Sequence, residues 1–152
     1  MPARTASRTP RLPCPSVPRP ARAGPPRAFL DLGAVLTAPA CARAWTREIL
    51  WEWGLACLAD TAEVVVSEMI TNSVNASRVL ASPVIRLNLT LDQGELAVLV
   101  RDDHPGAPQA RHPGPEEESG RGLLLVETLS DRFGWYPLEG GGKVTWAVLQ
   151  AG

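Results

Sequence analysis

Glu68, Asn72 and Asn75 are spaced four and three apart in VVVSEMITNSVNAS (64–77), a stretch whose other positions read as buried helix. Side chains at i and i+4 stack on one helix face, so a carboxylate and an amide meet there, with Asn75 one turn on. A polar helix edge in water explains all three without chemistry. The sharper explanation is a carboxylate and an amide oxygen aimed at a metal–phosphate. Magnesium takes only one or two protein oxygens and draws the rest from water and phosphate. Val65, Val66, Met69, Ile70 and Ser73 form the adjoining stripe, which should face a sheet.

Two further motifs carry groups of the right kind. VRDDHPG (100–106) ends an apolar strand in paired aspartates and a Pro-Gly turn. A carboxylate held there, at Asp102, could accept a hydrogen bond from an exocyclic amine such as adenine's, or merely help the turn form. ESGRG (118–122) places glycines 120 and 122 at the start of a helix. Bare amides at a helix N-terminus suit phosphate, and Arg121 could pair with its oxygens; a flexible hinge is the plainer explanation. His104 and His112 have nearby carboxylates but no rigid ligand spacing. Trp51 and Trp53 cannot share one helix stripe, so one of them is expected to be exposed.

The elements that must position these groups follow from period and punctuation. AFLDLGAV (28–35) reads as a first strand, and a helix from Ala38 to about Trp53 stops at Gly54. Asp60 followed by Glu63 reads as a capping box opening the helix that runs to about Arg78, with Pro83 beyond it. VIRLNLTL (84–91) and ELAVLVRD (95–102) form a hairpin across Asp92-Gln93-Gly94. Residues 103–119 lack periodicity, and a loop of that length is functional or disordered. GRGLLLVETLSDRF (120–133) reads as a helix, and GWYPL and GKVTWAVLQ as a closing hairpin. The order β-α-α-β-β-loop-α-β-β implies an α+β class: a two-layer sandwich, its mixed sheet mostly antiparallel, with helices on one face.

Bulk composition sets limits. The chain has 152 residues and a net charge of −1, but residues 1–27 hold six arginines and eight prolines with no acid. That segment cannot bury enough surface to order itself and reads as a disordered tail, leaving 28–152 as one folded domain. The domain carries nine basic against sixteen acidic groups, which disfavours direct nucleic-acid binding. Three cysteines without C-x-x-C spacing argue against a disulfide framework or zinc site. No apolar run reaches the roughly 18 residues of a membrane span, and no signal peptide is evident. A soluble, cytoplasmic protein that does not engage membranes is expected.

Each motif is ordinary alone, but their order is specific. VVVSEMITNSV, VRDDHPG, ESGRGLLLVETLSDRFGW and GGKVTWAVL, over residues 28–150, together resemble the ATP-binding domain (Bergerat fold) shared by DNA gyrase, a heat-shock chaperone, histidine kinases and mismatch-repair ATPases. Within that superfamily the chain looks most like the small bacterial anti-sigma-factor serine kinases. The resemblance implies ATP and Mg2+ as cofactors. It makes Asn72 the magnesium ligand, Glu68 the carboxylate that polarises an attacking hydroxyl, and Asp102 the partner of the adenine amine. Gly106, Gly120 and Gly122 would shape a lid formed by 103–119, and Ser119, Arg121 and Thr145 complete the expected nucleotide contacts.

Two positions depart from the family pattern. His104 stands where a glycine is common, a position that would strain histidine if it needed positive φ. Val144 stands where a threonine is common, and Thr145, one residue along, is expected to point to the other face. The leading function is an ATP-dependent serine/threonine kinase that phosphorylates a small antagonist protein and so controls a sigma factor. The alternatives are a non-catalytic ATP-binding interaction module and a scaffold that has lost ATP. A homodimer is a further expectation from the resemblance alone.

Overall fold

A computed structural model describes residues 24–81, 83–108 and 119–151, and the side chains of 119–121 are outside that description. Most of the 1–27 tail and the centre of the 103–119 loop therefore lie outside the described residues. Strand β1 (Arg27–Gly33) is followed by helices α1 (Ala38–Glu52) and α2 (Ala59–Ser77), then strands β2 (Val84–Asp92) and β3 (Glu95–Asp102). Helix α3 (Ser119–Leu129) and strands β4 (Arg132–Pro137) and β5 (Lys143–Gln150) complete the chain. The five strands form one sheet in the order β1-β2-β3-β5-β4, and every neighbouring pair is antiparallel. The fold is the expected α+β sandwich, its sheet antiparallel throughout.

Period two on the strands and 3.6 on the helices build the core. Ile85, Leu87 and Leu89 of β2 and Leu96, Val98 and Val100 of β3 are fully buried. From α2, Ala62, Val65, Val66, Met69, Ile70 and Ser73 are buried too, so the stripe read from sequence does pack inward. Helix α2 lies centrally, touching β2, β3 and β5 as well as α1 and α3. The β2–β3 turn places Gln93 at φ 49° and Gly94 at φ 76°, the doubly positive conformation of a two-residue hairpin loop.

Two local expectations need correction. The residue capping α2 is Leu58, with no side-chain cap, because a short 3-10 turn (Ala56–Leu58) runs straight into the helix. Asp60 and Glu63 instead both accept from Arg47 of α1, the first at 2.8 Å; they tie two helices together. Secondly, α3 ends at Leu129, so Arg132 and Phe133 belong to β4. Asp131 joins the sheet there, its N–H donating to Val148 O and its carboxylate accepting from Gln150 N. Trp51 is 64% exposed while Trp53 packs against the core, as their spacing demanded. Among the described residues, no helix is long and apolar enough to cross a membrane.

Candidate functional site

The candidate site is carried by α2, which meets the start of α3 at Glu68 and the end of β3 at Ser73. Glu68 and Asn72 are both half-buried on α2, and Asn75 is exposed. Glu68 reaches the first turn of α3, where a side-chain carbon added at Gly122 would overlap its carboxylate. Only glycine leaves that space, so the close approach of helix backbone to carboxylate explains the residue type at 122. Ser119, Gly120 and Arg121 lie in the same first turn, the part of a helix whose amides lack intrahelical partners.

Asp102 ends β3 and is completely buried, and three donors converge on it. The Ser73 hydroxyl of α2 donates to Oδ2 at 2.6 Å. The His104 backbone N–H donates to Oδ1 at 3.0 Å, and the Lys143 ammonium donates to the same oxygen at 2.9 Å. Lys143 is 1% exposed and lies directly opposite Asp102 in the β3–β5 register. A buried carboxylate needs such partners, because an unpaired charge in a low-dielectric interior is far costlier than a paired one.

The base of the 103–119 loop is ordered by the same residues. His104 Nδ1 accepts from the Gly106 N–H at 3.1 Å, so Asp102, His104 and Gly106 form a short chain of local hydrogen bonds. Gln93 is the only non-glycine residue with positive φ among the described residues. The strain anticipated at His104 is therefore absent. His112 lies outside the described residues, and no group of three or more His, Cys, Asp and Glu close enough to hold a metal ion occurs among those described.

On β5, Thr145 is buried and pairs with Val100, so it shares the helix-facing side with Lys143 and Asp102. Val144 points the other way. The two residues that sequence reasoning missed are Ser73, assigned only to the packing stripe, and Lys143. Parity with Thr145 and the chain's single lysine were the available signals for Lys143.

A groove of about 340 Å3 runs beside Glu68, lined also by Arg43, Asp60, Glu63, Val64 and Ser67. Arg43 donates to Ser67 Oγ at 2.7 Å across it. Asp102, which is fully buried, is not among those lining residues. The arrangement offers a carboxylate against the first turn of α3, a half-buried amide four residues along α2, and a buried carboxylate held by Ser73 of the same helix.

A family model for the histidine kinase-like ATPase domain matches residues 33–149. No curated protein matches the chain.

Proposed function

We propose, for a chain that belongs to the histidine kinase-like ATPase domain family, an ATP-dependent regulator that phosphorylates serine or threonine on a small antagonist protein and so controls a sigma factor. The observation that carries this reading is Glu68 set against Gly122 in the first turn of α3. That approach supports reading Glu68 as a base next to backbone amides of the kind that suit a triphosphate. Phosphoryl transfer asks little covalent work of a protein, mainly positioning and charge neutralisation.

In this reading ATP lies along α2. Its phosphates meet the amides of Gly120, Arg121 and Gly122, with Ser119 and the Arg121 side chain as further contacts. Its adenine approaches Asp102, near Thr145 and the loop base at Gly106. Glu68 accepts the proton of the partner's hydroxyl as that oxygen bonds to the γ-phosphorus and the bond to ADP breaks. The half-buried Asn72, one turn along from Glu68, provides an oxygen donor of the hard type magnesium prefers. Mg2+ held there would supply neutralising charge to the phosphates.

A second reading, a non-catalytic module whose nucleotide state sets partner affinity, uses the same residues, because a ligand-only site needs Asn72 and Asp102 as much as an enzyme does. The two separate in one experiment. Purified protein with Mg-ATP and candidate antagonist proteins should label the partner, and Glu68→Ala should abolish labelling while leaving ATP bound. ATP binding without labelling, unchanged by Glu68→Ala, would leave only the non-catalytic reading.

A further inference from the structure

The Asp102 end of the site is filled by an amine of the protein itself. Lys143 Nζ stands 2.9 Å from Asp102 Oδ1, in the hydrogen-bonding role that an adenine amine would otherwise take. The same oxygen accepts the His104 N–H, and the Ser73 hydroxyl holds the other. Three donors therefore use most of the about four lone-pair positions of a carboxylate. The ammonium, by contrast, has three N–H donors and one hydrogen bond among the described residues. A buried ammonium with donors to spare, beside a carboxylate with little acceptor capacity left, reverses the polarity of this corner.

We infer that Lys143 competes with the nucleotide base for Asp102 and sets base specificity, so that the site does not select a 6-aminopurine over a 6-oxopurine. This rests on the proposed placement of the base at Asp102. A free carboxylate matches the amine of adenine and repels the carbonyl of hypoxanthine. Sites built to hydrogen-bond an N–H reject analogues lacking it by as much as about 10⁴-fold. With the ammonium in front, its spare donors serve either N1 of adenine or O6 of hypoxanthine, and that discrimination is lost.

Calorimetric titration of the full chain with Mg-ATP and with Mg-inosine triphosphate tests this, using the wild type, Lys143→Thr, and Lys143→Met as a variant that keeps an apolar stem. The two wild-type dissociation constants should agree within about tenfold. Replacing the lysine should tighten ATP binding at least about tenfold and leave inosine triphosphate no tighter, because only adenine brings the amine that Asp102 can then accept. A wild-type preference above tenfold in either direction overturns the inference, and that result needs no variant to fold. So does a folded variant whose affinities for both nucleotides change by the same factor. If the wild type binds neither nucleotide, the placement of a nucleotide in this site fails as well.

Discussion

Asp102 is the residue on which both structure and proposed chemistry converge, and its partners make its role in stability separable from its role in binding. Asp102→Ala leaves the Lys143 ammonium buried without a counter-charge. Breaking a buried pair from one side costs about 3–5 kcal/mol. Ser73→Ala removes one hydroxyl donor to a charged acceptor, worth about 1.5–3 kcal/mol. Urea unfolding should therefore rank Asp102→Ala as the more destabilising change. Equal effects would mean that Lys143 finds solvent once Asp102 is gone, contrary to its burial. Glu68, Asn72 and Asp102 stand out in the sequence as candidates because each breaks the pattern of its own element: a charged or amide group on an apolar helix, and paired acids at a strand end. Ser73 and Lys143 do not. A serine on a buried stripe reads as packing, and a lysine beside a glycine turn reads as solvated; only strand register places it opposite Asp102.

At the scale of elements, the approach of α3 to α2 decides whether the site exists. Gly122→Ala tests it because two effects oppose. Alanine is favoured over glycine in a helix by about 1 kcal/mol, so stability alone would rise. The new carbon, however, meets the far end of the Glu68 side chain, which must move and disturb the interaction that Glu68 makes. The expected outcome is a fold as stable as wild type within about 1 kcal/mol and phosphoryl transfer reduced to the Glu68→Ala level. Retained transfer would remove Glu68 from the mechanism. The edge strand β1 gives a second test. Asp31 is bonded to Arg86 of β2 at 2.7 Å, and chiefly that hydrogen bond lowers its pKa below the usual 3.8. A carboxyl with a depressed folded-state pKa stabilises the fold above its unfolded pKa, and the benefit is lost as pH falls through the folded one. The melting-temperature gap between wild type and Asp31→Asn should be small at neutral pH, where the pair is exposed and screened, and should close in acid below pH 3.8. Element existence was readable from periodicity, but two boundaries were not. The acids at 60 and 63 have the spacing of a capping box yet serve Arg47, a tertiary partner no local pattern reveals. The end of α3 is set by Asp131 joining β5, again a contact between segments far apart in sequence.

For the molecule as a whole, the helix layer, the sheet and the site form one cooperative unit, because α2 is both the centre of the core and the carrier of Glu68, Ser73 and Asn72. A ligand bound along α2 must then stabilise the entire fold. Binding to the native state alone adds RT ln(1 + [L]/Kd), about 2.7 kcal/mol at a hundredfold excess over Kd. For a domain of this size that corresponds to a rise in melting temperature on the order of 10 °C. Mg-ATP should produce such a rise in wild type, and ATP with a chelator a smaller one. Asn72→Ala tests the assignment of the ion without any measurement of turnover. Asn72 has an interaction of its own in the fold, so each protein is compared with its own unliganded melting temperature and only the ligand-induced increments are read. If Asn72 holds magnesium, the variant should gain the same stabilisation from ATP with or without the ion, equal to the chelator value of the wild type. If the magnesium-dependent increment survives in Asn72→Ala, the ion is held elsewhere, and Asn72 is simply the polar border of a buried helix.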